Sequence, residues 1–547
     1  MFVRAKKRGE VTYLQIVENQ WRDGRVKQTI LHSLGRLDEL DASGALDRFL
    51  SSATRFSRNL AVLNAHERGE SVTTRTSIIG PQLIFERLWR ELSIDKVIAA
   101  VARGRSFGFS LERAIYLTVL HRLCVSGSDR AAEKWKERHA IPGADELALQ
   151  HLYRAMAWLG EIVAVPDPPE RAPRCTKDLI EEQLFARRRT LLTGLDLVFF
   201  DTTSLYFEGH GGETIGEYGH SKDHRPDLRQ MVVGMVLDRE GNPICSEIRP
   251  GNATDVTSLV PVVERLRRRF GIERVCIVAD RGMISETTIK QIEERGWHYI
   301  LGARMRRCTE VRDEVLSRAG RYHEVFPKSP IKKDPAPLQV KEVRVEERRY
   351  VVCLNVDEAT KDRHDREAIL ASLRDALMHG DKSLIGNKGY RRFVKSGGER
   401  FEIDSEKVEQ EARFDGKWVL RTNTDLAAAE VALAYKQLWT VEDIFRSMKS
   451  VLETRPIYHK RDATIRGHAF CSFLALVLRK ELQDRIEGKG WKLEWNDVIR
   501  DLNDLRELQI TTGGKGFLLR TETAGTIGKV FQACGVALPP TLRPLEG

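Results

Sequence analysis

Two apolar runs each close on a carboxylate. LDLVFFDTTSLYF, residues 195–207, carries mostly apolar residues into Asp201, and RVCIVAD, residues 274–280, runs into Asp280. Both read as buried strands ending at these residues, and in an open α/β sheet ligands gather outside the carboxyl ends of strands. A carboxylate in such a place needs pairing, hydrogen bonds or a cation. If the two strands are neighbours the carboxylates converge, and like charges that close raise a pKa or recruit a metal. Oxygen-only ligands favour Mg²⁺ or Mn²⁺ over zinc. Either aspartate alone also reads as the start of a turn, Asp201 before Thr-Thr and Asp280 before Arg-Gly.

A third carboxylate stands in YKQLWTVEDIFRSMKSVLETRPIYH, residues 435–459. On a helix advancing ~100° per residue, Tyr435, Glu442, Arg446, Lys449 and Glu453 fall within roughly 40° of one line. Val441, Ile444, Phe445, Met448 and Leu452 form an apolar stripe about a quarter turn away. Such a helix packs on a sheet and aims a carboxylate and two cations along one edge. An amphipathic helix with a solvated polar face shows the same spacing, although Tyr435 and Trp439 beside the polar line are less typical of one.

Together Asp201, Asp280 and Glu442 resemble the DDE transposases of bacterial insertion sequences, in the branch with the signature Tyr-x2-Arg-x3-Glu-x6-Lys. Here the signature reads Tyr435, Leu438, Glu442, Lys449, with leucine in place of arginine. Arg446, one turn beyond Glu442, is a candidate substitute. GHSKDHRPDLRQ (219–230), RPIYH (455–459) and IRGHAFCSFLAL (465–476) look like one subgroup of these enzymes, and the resemblance covers most of residues 195–476. It implies an α/β fold, an RNase H-like mixed sheet of strand order 3-2-1-4-5 with helices on both faces. A β-rich insertion before the last carboxylate and a helical N-terminal region complete that picture.

The resemblance also implies the chemistry. Asp201, Asp280 and Glu442 would be catalytic and would hold two Mg²⁺ or Mn²⁺ ions about 4 Å apart, activating water or a 3′-hydroxyl against a DNA phosphodiester. Tyr435 and Lys449 would contact phosphates near the transferred end, and double-stranded DNA, as element ends and target, would be the partner of a homodimer. An aromatic side chain holding a flipped base falls to Trp297 or Trp418, either of which is equally a core tryptophan. No Gly-x4-Gly-Lys-Ser/Thr loop occurs in the sequence, so no ATP is implied.

In GHSKDHRPDLRQ, His220, Asp223, His224 and Asp227 have ligand-like spacing, but Pro226 breaks a helix there and no cysteine assists a zinc site. A basic loop reaching DNA through Lys222, His224, Arg225 and Arg229 is the stronger functional reading, beside that of a solvated loop. Two alternatives to the transposase stay open: an RNase H-like nuclease that cuts without joining, and a DNA-binding protein that has lost catalysis. A zinc hydrolase lacks its His/Cys ligand set.

Composition sets the frame. The 547 residues suffice for several domains, and 41% apolar with 31% charged residues describes a globular chain. The formal net charge of +10 tilts toward an anionic partner. The eight cysteines are scattered without a Cys-x-x-Cys pair, which suits free thiols in a reducing interior. The basic N-terminus leads into no apolar core and FCSFLALVL is too short to span a bilayer, so a cytoplasmic protein is expected.

The elements that must position the site fall in a readable order. Residues 1–75 read as a hairpin around Asp23-Gly24 and a linker region, and 76–175 as a helical, DNA-binding domain ending in the proline-rich break AVPDPPERAP. Residues 176–305 read as the first part of the catalytic domain: a strand to Asp201, strands QMVVGMVLD and PICSEIRP, a helix, a strand to Asp280, a helix capped by Ser285, and the strand HYILGARM. Residues 306–425 read as the β-rich insertion and 426–485 as the rest of the catalytic domain, opening with one long helix to about 453. Residues 486–547 are a mixed C-terminal region without a chemical signature.

Overall fold

The computed structural model describes residues 2–22, 25–53, 73–164, 172–188, 196–272, 275–283, 285–326, 338–378, 388–396, 401–512 and 515–545. The Asp23-Gly24 turn and most of the proline-rich breaks at 164–173 and 326–337 lie outside them. The chain forms two compact units, Met1–Ile84 with Arg138–Ala140 and Lys489–Gly547, and Phe85–Glu137 with Ile141–Gly488.

The larger unit is mixed α/β and is built on one nine-stranded sheet, whose strands are numbered here in chain order. They are β1 (Asp196–Tyr206), β2 (Gln230–Leu237), β3 (Pro243–Pro250), β4 (Val275–Ala279) and β5 (His298–Gly302), followed by β6 (His323–Val325), β7 (Leu338–Val345), β8 (Arg348–Asn355) and β9 (Lys417–Thr422). Their order across the sheet is β6-β7-β8-β9-β5-β4-β1-β2-β3. β4 runs parallel to both β1 and β5, and the other pairings are antiparallel. Every residue of β2 and β4 is buried. Central strands covered on both faces need continuous apolar runs, and QMVVGMVL and VCIVA supply them.

The helices of this unit used below are α1 (Leu111–Cys124), α2 (Leu149–Leu159), α3 (Thr176–Arg188), α4 (Asp255–Phe270), α5 (Glu286–Glu294), α6 (Val356–Met378), α7 (Ala428–Lys436), α8 (Leu438–Arg446) and α9 (Asp462–Glu487). Val198 and Phe200 of β1 and Ile277 and Ala279 of β4 enter one core with Leu259, Val263 and Leu266 of α4 and Ile289 and Ile292 of α5. Ser285 caps α5 by accepting from the Thr288 amide, and Gly296 takes φ +64° just beyond it. Side chains alternate along a strand, so residues 199 and 201 of β1 face away from that core.

Three expectations change. First, the strand does not end at Asp201 but continues to Tyr206. Only its first part has β4 as a neighbour; from Asp201 onward the pairing with β2 continues alone, Asp201 opposite Met235. The polar run Thr202-Thr203-Ser204 is therefore a buried strand and not a turn. Second, the long helix of 426–453 is divided into α7, α8 and a π-helical turn over Ser447–Val451, with the break at Gln437. α7 packs against β4, β5 and β7–β9 while α8 packs against β1 and β2, and a straight rod cannot follow a twisted sheet across so many strands. Third, the N-terminal hairpin is a three-stranded antiparallel sheet, Phe2–Arg8, Val11–Arg22 and Arg25–Arg36.

Residues 306–425 hold β6 to β9 and also the 23-residue helix α6. α9 packs against α1 and α2, its Gly467 against the Met156 backbone and Gly160 of the α2 end against Ala463. FCSFLALVL is thus the buried middle of a helical core, and among the described residues no helix is long and apolar enough to cross a membrane. α3 enters the unit through charge: Lys177, Asp178 and Glu181 are buried with Arg265 and Arg269 of α4 and Glu247 of β3.

In the smaller unit, Thr73–Ile78 pairs with Arg506–Thr512, which pairs with Lys515–Arg520 and that with Leu542–Pro544. The C-terminal residues therefore complete a sheet begun more than four hundred residues earlier.

Candidate active site

Val278 of β4 stands opposite Phe199 of β1 in the parallel ladder. The ladder ends at that pair, and Asp201 and Asp280 each lie two residues beyond it, Asp201 still within β1 and Asp280 just past β4. Asp280 is exposed as the first residue beyond β4, and Asp201 is half-buried where β1 loses β4 as its neighbour. The Thr202 amide donates to Asp201 Oδ1 at 2.7 Å.

Tyr435, on α7, donates its hydroxyl to Asp280 Oδ1 at 2.8 Å. Burial and the neighbouring Asp280 charge push the phenol well above its usual pKa, so it remains a donor. The room for that ring comes from Gly302 at the end of β5, where a Cβ would meet the Tyr435 hydroxyl closer than real Cβ atoms come. Gly302→Ala is therefore expected to pull Tyr435 off Asp280. A hydrogen bond to a charged group is worth about 1.5–3 kcal/mol, so catalysis should fall by roughly tenfold or more. Tyr435→Phe should match it, and the double variant should lose little beyond either. Full activity of Gly302→Ala in a DNA-cleavage assay would disconnect this contact from function.

Glu442 lies on α8, whose Val441, Ile444 and Phe445 are buried while Glu442 itself is exposed. Leu438, at the signature's arginine position, is buried in the same apolar stripe. Arg446, the candidate for that role, lies 3.3 Å from Asp443 of its own helix and is largely exposed.

The 219–230 loop is tied down more firmly than its composition suggests. Lys222 Nζ donates to Thr202 O at 2.7 Å and Thr202 Oγ1 at 2.9 Å, and stands 3.8 Å from Asp201 Oδ1. Asp223 accepts from Lys449 Nζ at 2.7 Å and pairs with Arg455. Burial draws the Lys449 pKa down, against the opposing pull of Asp223. Arg229 donates to Gly216 O at 2.9 Å and stacks on Tyr218, and Arg225 pairs with Asp227. Sequence reasoning missed Arg455 and the Asp223 clamp; the motif RPIYH held the former without saying what it would bind.

Among the described residues only Asp129, His459 and His468 bring three His, Cys, Asp or Glu ligand atoms within 4.8 Å of one another. Neither the loop residues His220, Asp223, His224 and Asp227 nor the Asp201, Asp280 and Glu442 oxygens form so tight a group. In the Asp129 group, His468 Nε2 faces the Thr454 carbonyl at 3.1 Å, and Arg122 Nη2 is 2.8 Å from His468 Nδ1. A guanidinium already takes the position a cation would need, so this is a buried polar pin between helices. Trp297 is buried in the core between Arg267 and Arg295, away from any role with an extruded base. Trp418 is half-buried with Lys436 over its ring.

Asp201 within β1, Asp280 just past its neighbour β4, and Glu442 on α8, which packs against β1, are oxygen donors of the kind that metal-assisted phosphoryl-transfer enzymes use. Residues 193–478, more than half the chain, match the model of the transposase DDE domain, and the chain belongs to that family. Residues 2–66 match the N-terminal domain of IS1634 family transposases. The protein is an insertion-sequence transposase, an enzyme that cuts and rejoins DNA, and a DDE domain implies use of a divalent metal. No curated protein matches the chain. Among solved structures, a cryo-EM structure of the piggyBac transposase synaptic complex with hairpin DNA aligns at TM-score 0.39 and 12% identity. That alignment covers 78% of this chain and 79% of that one, too loose a likeness to carry an argument.

Proposed function

We propose that this transposase binds the ends of its own insertion sequence as a dimer and uses Asp201, Asp280 and Glu442 to cut and transfer the DNA strands. The position of Asp201 and Asp280, each two residues past the last pair of the parallel β1–β4 ladder, carries the reading. β3-β2-β1-β4-β5 is the 3-2-1-4-5 order of an RNase H-like core, which supports it. The fit to Mg²⁺ or Mn²⁺ rests on the donor set, which is all oxygen; two such ions would be the pair that phosphoryl transfer uses. Such ions would supply the activated nucleophile and the stabilised leaving oxygen.

The chain's own residues do the rest. Thr202 N–H and Tyr435 O–H each take one oxygen of an aspartate, which fixes how the remaining lone pairs are presented. Asp223 holds Lys449 and Arg455 together and, through its neighbour Lys222, beside Asp201. Lys449 and Tyr435 belong to the same end-contacting set, in the branch marked by the Tyr-to-Lys signature. Residues 76–175 are the helical candidate for DNA binding, with the insertion spanning 306–425.

DNA from the flanks of the gene, incubated with the protein, Mg²⁺ and a plasmid target, should give ends cut at the element boundary and then joined products. Cut ends that never join would favour a nuclease instead. Intact DNA at every metal concentration would remove the assignment.

A further inference from the structure

We propose that a cleft of about 330 Å³ beside Asp280, formed by Arg281, Gly282 and Arg304–Arg307, grips a DNA backbone phosphate on the side of the scissile bond away from Lys449. This deepens the transposase reading and rests on it.

The cleft begins one residue after Asp280. Arg304, just past β5, donates from Nε to Arg281 O at 3.0 Å and from Nη2 to Gly282 O at 3.3 Å, locking the two turns together. Arg306 is committed to Glu411 at 3.0 Å and to the Phe414 ring. Arg281, Arg304 and Arg307 are exposed, and among the described residues no carboxylate lies within ion-pair distance of any of them. Asp362, Asp365 and Asp415 line the adjoining cleft that Arg281 shares, but none is in ion-pair contact with Arg281, Arg304 or Arg307, so an anion here would still meet unpaired positive charge.

The opposite flank differs. There Lys449 and Arg455 converge on Asp223, so much of their charge is already met. A strand whose phosphodiester sits at the acidic pair must extend both ways, and within a nucleotide or two one arm meets the uncompensated arginines. Their fork geometry suits bidentate phosphate binding. Such contacts set position and carry no sequence information.

Arg307→Ala and Arg281→Ala test this on a duplex of the element end. Each should lower the slope of log K against log salt by about 0.9, the release expected for one phosphate contact. Single methylphosphonate substitutions, which neutralise one phosphate at a time, locate it. One position near the scissile bond should weaken wild type yet cost Arg307→Ala nothing more, while other positions cost both alike. Arg307→Lys should restore the salt slope in part. Unchanged slopes, or losses that add at every position, would overturn the proposal. Should wild type fail to cut the duplex at all, the transposase reading falls instead.

Discussion

Asp201→Asn should bind end DNA as wild type does and cut it about a thousandfold more slowly. Asn keeps an oxygen for the Thr202 amide that donates at 2.7 Å, so the strand is undisturbed. What it removes is anionic charge. Losing one ion ligand forfeits several kcal/mol of transition-state stabilisation, and about 4 kcal/mol is a factor of a thousand. Asp280→Asn should behave alike, because it too removes an anionic oxygen just past the same ladder. Single-turnover cleavage, with duplex binding measured in parallel, checks both arms. Cysteine at either position should prefer Mn²⁺ to Mg²⁺, since a thiolate is the softer ligand. Cleavage by Asp201→Asn within tenfold of wild type would take that residue out of the site.

Asp178→Ala should cost about 3–5 kcal/mol of stability, the range for stranding buried charges by removing a partner. Asp178 is fully buried, with Lys177 Nζ at 2.8 Å, Arg265 Nη2 at 2.6 Å and Arg269 Nη1 at 3.4 Å. Burial by itself would raise its pKa; Lys177, Arg269 and Arg265 outweigh that and hold it well below the usual carboxylate range. A carboxyl whose folded pKa is depressed stabilises the fold above its unfolded value near 4. That contribution is lost as pH falls toward the folded value. Wild type should therefore lose stability below about pH 4 more steeply than Asp178→Asn, whose profile lacks this component. Urea unfolding at several pH values measures both effects. A cost below about 1 kcal/mol would show that the arginines find water or other partners when the carboxylate goes.

Much of this was legible in the sequence because it is local. Apolar runs mark β1, β2 and β4, since a strand buried on both faces admits little else. Ser285 and Gly296 mark the ends of α5 through capping chemistry that depends only on neighbours in the chain. Asp201 and Asp280 stand out because a carboxylate following an apolar run is costly unless something compensates it. Spacing alone placed Glu442, Lys449 and Tyr435 along one helix line, although that line is broken at Gln437 in the folded chain.

Only the tertiary structure decided the rest. That Asp201 lies within a strand follows from β2 running on where β4 stops, a matter of where two partners end. Lys222 reads as a free loop cation until Thr202 and Asp201 are beside it, and Lys449 until Asp223 is. The sheet that joins Thr73–Ile78 to Arg506–Thr512 left no trace in either segment, because pairing across such a distance is a choice of partner and not of propensity. Residue type and period set what each segment can be. Which charges are met and which remain open for DNA depends on neighbours that only folding supplies.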